Sequence, residues 1–122
     1  MTLTASDTTS SGTGWHVTVQ SSAFVYSGGN GGTDIPADHL RIAQAAAPIL
    51  TVGEQVDSTG GPKVPSGGGT GTLDQPRTVL DASAGFGAGT YTQQLGVTMT
   101  IPGQSRVGTY TGTFTTTIAS GP

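Results

Sequence analysis

The stretch GTGWHVTV, residues 12–19, contains the only tryptophan of the chain and begins its clearest β-strand pattern. Side chains two residues apart lie on the same face of a strand. Trp15, Val17 and Val19 are therefore predicted to face a core, while the polar residues between them point away. A buried indole ring is the prediction for Trp15, and a partly exposed ring that stacks on a sugar is the alternative.

Two later stretches also alternate with period two, TYTQQLGVTMTI at 90–101 and GTYTGTFTTTIA at 108–119. Pro102 and Gly103, which are typical turn residues, lie between the two stretches. We therefore predict that the two stretches pair as a hairpin. The outer face of that hairpin would carry rows of threonine, which could bind ice or another flat sheet. Ordinary cross-strand threonine pairing is the alternative. The predicted inward residues are Tyr91, Leu95, Val97, Met99 and Ile101 in the first stretch, and Tyr110, Phe114 and Ile118 in the second.

The rest of the chain contains short strand candidates and loops. Only IAQAAAPIL, residues 42–50, could form a turn or two of helix, and Pro48 would end it. Glycine and proline dominate residues 58–76, which predicts a flexible surface loop with little that could pack, and GGNGG at 28–32 predicts a second loop. The shorter strand candidates are HLRI (39–42), ILTV (49–52) and RTVL (77–80).

Together these patterns predict the fold class. Residues 1–122 are expected to form a single domain. Its architecture is predicted to be an all-β, antiparallel sandwich of the Ig-like or jelly-roll kind, with long Gly/Pro-rich loops.

Composition excludes several function classes. Charged residues make up 9% of the chain, the four basic residues are scattered, and the net charge is −3. Nucleic-acid binding needs a basic stripe, so we expect no nucleic-acid partner. No apolar run approaches the roughly 20 residues of a membrane span. The absence of cysteine excludes disulfides, thiolate metal ligands and a cysteine nucleophile.

Candidate catalytic residues are few. His16 and His39 are the only histidines, and both are predicted to be solvated or structural. The carboxylates lack the spacing of an acid–base pair or a calcium loop, so we predict turn and cap residues rather than catalytic or metal-binding ones. We therefore expect no enzyme activity, cofactor or metal. The carboxylates considered are Asp34, Asp38, Glu54, Asp57, Asp74 and Asp81.

Both ends of the chain carry a family pattern. ASDTTSSGTGWHVTV (5–19) contains an aspartate, a Ser/Thr/Gly run and Gly-Trp-x-aliphatic. Residues 79–122 contain Gly-x-Gly-Thr-Tyr, a strand ending in Ile-Pro, and Gly-Thr-Tyr-Thr leading to the terminal proline. In this order the pieces resemble the WxL domain of Gram-positive, especially actinobacterial, surface proteins. The resemblance covers about half of the chain and leaves out residues 28–76.

The resemblance implies a function and a site. Members of the WxL family are thought to attach non-covalently to peptidoglycan, which implies an extracellular module at the cell wall with peptidoglycan or wall polysaccharide as its partner. The first Trp-x-Leu motif corresponds to Trp15 and Val17, and the second to Thr116 and Ile118, with threonine in place of the second tryptophan. Groups available for sugar recognition are Tyr26, Tyr91, Tyr110, Gln93 and Gln94.

A structural role is the alternative function. No secretion signal is visible after Met1. This leaves two origins open, the mature part of an exported protein or an unexported product such as a virion protein. The terminal stretch TGTFTTTIASGP (111–122) is uncharged, and no lysine follows Lys63. Strand edges without charged residues can pair with strands of other copies, which favours self-association, as in a surface fibre or a virion decoration protein.

Overall fold

The computed structural model describes residues 1–7, 12–66, 69–103 and 105–122. Within them no α-helix occurs, and no helix is long and apolar enough to cross a membrane. A single 3₁₀ turn spans Ala37–His39 in this part of the chain. The strands are β1 (Thr2–Asp7), β2 (Trp15–Ser21), β3 (Val25–Ser27), β4 (Leu40–Ala45), β5 (Ile49–Gly53), β6 (Gly71–Thr72), β7 (Arg77–Ala82), β8 (Gly89–Met99), β9 (Thr109–Thr111) and β10 (Phe114–Ser120).

The strand pairs in the described part of the chain are all antiparallel and form three sheets. The largest sheet has the order β1-β8-β4-β6, with β5 also paired to β8. A second sheet has the order β10-β2-β7, and β3 and β9 form a short ribbon. β4 and β5 pair with successive parts of β8. The helix considered for residues 42–50 is therefore wrong, because both ends of that stretch are strand, although Pro48 does interrupt it.

One hydrophobic core holds the two larger sheets together. Trp15, Val17 and Val19 of β2 are buried in it, as their alternation predicts. Leu3 of β1 and Tyr91 of β8 come to the same core from the other sheet. The predicted all-β antiparallel sandwich is therefore confirmed.

The predicted hairpin between residues 90–101 and 108–119 is wrong. β8 pairs with β1 on one edge and with β4 and β5 on the other, so it has no edge left for β10. β10 instead pairs with β2. The two threonine rows therefore belong to different sheets and form no common lattice. Cross-strand pairing does occur, since Ser6 Oγ lies 2.9 Å from Thr90 Oγ1.

Some predicted core residues are exposed. Met99 and Ile101 are 37% and 65% exposed, and Ile118 is 48% exposed. β8 has 11 residues, whereas β2 has 7 and β7 has 6. The end of β8 therefore extends past the strands that could cover it. Ile118 is exposed for another reason, because it lies on an edge strand.

The Gly/Pro-rich segment 58–76 is more structured than predicted. Leu73 is fully buried in the core. Lys63 exchanges two backbone hydrogen bonds with Asp81 of β7.

The Asp57 carboxyl in this segment has a lowered pKa. The backbone N–H groups of Gly60 and Thr59 donate to it and, with nearby Lys63, hold its pKa below the usual value. Residues 67–68 of the segment lie outside the described residues.

Gln93 connects the two larger sheets through the core. Its side chain is 1% exposed, and Nε2 donates to the carbonyl oxygens of Ala46 and Val79, each at 3.0 Å. Its Oε1 is buried without a hydrogen-bond partner among the described residues. The amide thus donates to one buried and one partly buried carbonyl and leaves its own oxygen unpaired among the described residues.

Gln93→Leu is expected to lower the free energy of unfolding by about 2–4 kcal/mol. The substitution removes the Gln93 donor from the buried carbonyl of Val79 and the partly buried carbonyl of Ala46, and it removes only one unpaired buried oxygen. The matched control is Gln94→Leu, because Gln94 is the exposed neighbour and its amide contacts only the Thr2 side chain among the described residues. Its effect should stay within about 0.5 kcal/mol. Equal losses for the two variants in a urea titration would contradict this role of Gln93.

Candidate functional site

The four residues of the WxL-like motifs lie together on one face of the smaller sheet. The register of β2 and β10 places Ile118 opposite Val17, Thr116 opposite Val19 and Ser120 opposite Trp15. Residues directly opposite each other in an antiparallel pair lie on the same face. The motifs are about a hundred residues apart in the chain, and the sheet brings them to one surface.

A groove runs along this face between the edge strands of the two sheets. We call it the seam groove. Its volume is about 290 Å³, and it separates β1 from β10. A second depression of about 190 Å³ shares Ser6 and Ile118 with it and also touches Trp15 and Ser120. The residues that line the seam groove are Leu3, Thr4, Ala5, Ser6, Val17, Thr116 and Ile118.

The hydrogen-bond pattern leaves both edges of the seam groove open. At the end of the β2–β10 ladder, the backbone N–H of Gly121 donates to the carbonyl oxygen of Gly14, so these two residues form a hydrogen-bonded pair. N–H and C=O groups alternate in direction along a strand, so those of Thr116 and Ile118 point away from β2. The backbone N–H of Leu95 likewise donates to the carbonyl oxygen of Met1. The N–H and C=O groups of Thr2, Thr4 and Ser6 in β1 therefore point away from β8. Neither outer edge has a strand partner among the described residues.

The chemistry of the groove is neutral and mixed. Leu3, Ala5 and Val17 are buried and provide apolar surface. Threonine and serine hydroxyls and the outward backbone groups supply donors and acceptors. Asp7, at the adjoining depression, is the one ionisable residue among those lining the two cavities. This arrangement suits an uncharged, extended ligand.

Trp15 supports the end of the groove from inside the core. It is 2% exposed, and its Nε1 donates to Gly87 O at 3.0 Å. The rings of Trp15 and Tyr91 lie 6.1 Å apart. The core prediction is confirmed, and an indole that stacks on a sugar is excluded by this burial.

The groups considered for sugar recognition do not converge. Tyr91 and Gln93 are buried, and Gln94 is exposed on β8. Tyr26 and Tyr110 do form a ring pair, with centroids 5.2 Å apart, on the β3–β9 ribbon. Their hydroxyls donate to the carbonyl oxygens of residues 107 and 106. This pair therefore holds the ribbon to the loop that precedes β9.

The histidines and the Asp34 carboxylate have structural partners. His16 Nδ1 lies 2.7 Å from Gly121 O, and His39 Nδ1 lies 3.1 Å from Thr100 O. The Asp34 carboxylate accepts from the backbone N–H of Tyr26. Among the described residues, no cluster of three or more potential ligands could hold a metal ion.

One side of the groove was not predicted from the sequence. Residues 2–7 were not identified as a strand, although the alternation of Leu3 and Ala5 with polar neighbours is a period-two signal. Comparison with known proteins finds no matching family model, curated protein or solved structure. The WxL resemblance therefore stays a prediction.

Proposed function

We propose that this chain is a non-enzymatic module of the bacterial cell surface, similar to WxL domains, that associates non-covalently with peptidoglycan or wall polysaccharide. One observation carries the proposal. Val17, Thr116 and Ile118 of the two motifs line one solvent-open groove, and Trp15 packs at its end. Trp15 and Val17 also belong to the core, whereas Thr116 and Ile118 are exposed, and a core alone would not require them at this surface.

The chemistry of the seam groove supports a wall polymer as the ligand. Glycan strands and their peptides present hydroxyls, amides and apolar patches. The groove offers Thr4, Ser6 and Thr116 beside apolar surface, which can pair with such groups. An extracellular location at the wall belongs to the same proposal.

Sedimentation with purified peptidoglycan tests the proposal. We expect the chain to be enriched in the pellet over a charge-matched control protein. Thr116→Arg should raise the apparent Kd about tenfold, because a long charged side chain would fill the groove and lose contacts worth about 1.4 kcal/mol. Thr115→Arg adds the same charge on the opposite face of β10 and should bind like the parent chain. No enrichment, or equal loss in both variants, would overturn the proposal.

A second candidate function is a self-assembling structural subunit, as in a surface fibre or a virion decoration. The observation that favours it is the open, uncharged outer edge of β10. Natural sheets usually protect such edges with charged residues, proline or bulges. Light scattering over a wide concentration range tests it, and a chain that stays monomeric throughout would rule this function out.

A further inference from the structure

The outer edge of β10 has the features of a self-pairing strand. No charged residue follows Arg106 in the sequence. The described pairing of β10 with β2 runs from Phe114 to Ser120 without a register shift, so the strand is regular over its whole length. Ile118, 48% exposed, leaves apolar surface at this edge.

We propose that two copies of this chain join through β10, antiparallel, about a twofold axis at Thr117. The two three-stranded sheets would then form one continuous sheet. The proposal rests on the second candidate function above and names its partner and its contact. The partner would occupy the groove that the first candidate function assigns to a wall polymer.

The direction of the backbone groups selects this register. The even-numbered residues of β10 point N–H and C=O outward, so only they can form hydrogen-bonded pairs with a neighbour. An axis at Thr117 places Phe114 opposite the partner's Ser120 and Thr116 opposite the partner's Ile118. Both strands are then paired from end to end. An axis at any other residue would leave one end of each strand unpaired.

A second copy fits this edge better than an unrelated strand. A twofold axis perpendicular to the sheet keeps the inner faces of both copies on the same side. The partner's Thr116 and Ile118 would therefore extend the face that borders the seam groove and cover the exposed Ile118. Since neither strand carries a charge, the close approach meets no like-charge repulsion. Closed twofold contacts of this kind are the commonest in soluble homo-oligomers.

Position 117 gives a sharp test, because its side chain would face its own copy across the axis. We expect the parent chain to dimerise in sedimentation equilibrium. Thr117→Lys places two ammonium groups opposite each other, and Thr117→Glu places two carboxylates, so each variant alone should dimerise about tenfold more weakly. An equimolar mixture of the two should recover dimerisation, because opposite charges then meet.

Thr115→Lys is the matched control. It adds the same charge to the same outward face of β10, but it would lie opposite the partner's Ala119 and should change dimerisation less than twofold. Circular dichroism of each variant checks that the fold is intact. A parent chain that stays monomeric at the highest concentration would overturn both this proposal and the structural-subunit function. A dimer that Thr117→Lys does not weaken, or that Thr115→Lys weakens equally, would overturn the β10 contact alone.

Discussion

Trp15→Ala is expected to lower the free energy of unfolding by about 3–5 kcal/mol, the usual range for removing a large buried aromatic ring. The ring fills the core between β2 and β8, where it packs on Tyr91. Its loss also leaves Gly87 O without the indole donor. Because small domains are stable by only about 5–15 kcal/mol, the expected loss is a large part of the total stability. A urea titration followed by circular dichroism measures the loss.

Trp15→Phe is the control for this prediction. It keeps an aromatic ring in the core and removes the N–H that reaches Gly87 O. We expect a loss of about 1–3 kcal/mol from the smaller ring and the unpaired carbonyl. A Trp15→Ala effect below about 1 kcal/mol would show that the ring is not part of the core.

Gly87→Ala is expected to cost about 2–5 kcal/mol. Gly87 has a φ of +82°, where a residue with a Cβ is strained by roughly 1–2 kcal/mol. A Cβ there would also lie 2.6 Å from Trp15 Nε1 and 2.7 Å from Ala82 Cβ. Such overpacking typically adds about 1–3 kcal/mol. The same urea titration gives the value.

Gly85 separates the two causes. Its φ of +85° is nearly the same as that of Gly87, but an added Cβ would meet no described atom within 4 Å. Gly85→Ala should therefore show only the backbone cost of about 1–2 kcal/mol. If the two alanine variants lose the same stability, close packing of Gly87 against the indole is contradicted.

Local alternation predicted much of the core. The period-two pattern from Trp15 to Val19 correctly identified the inward face of β2, because the direction of side chains along a strand is a local property. The strand candidates at 39–42, 49–52 and 77–80 also lie in strands or overlap them. Leu73, in a segment dominated by glycine, gave no alternation that could reveal its burial.

Strand pairing could not be predicted in the same way. Residues 102–103 suggested a turn, but which strands pair depends on the edges that distant segments occupy. β8 takes β1, from the start of the chain, on one edge and β4 with β5 on the other. The seam groove combines β1, β2 and β10, so no single stretch of sequence contains it. From the sequence, the motif residues Thr116 and Ile118 indicated only the wall of the groove that β10 forms.

Amide hydrogen exchange along β10, measured by NMR at a concentration where the chain is monomeric, tests the central claim most directly. The claim is that β10 bonds to β2 on one side and has no partner on the other among the described residues. We predict slow exchange for the amides of Thr115, Thr117 and Ala119, which point toward β2, and fast exchange for those of Thr116 and Ile118. Equal protection of all five amides, or protection of the even-numbered ones alone, would contradict the open edge and the groove built on it.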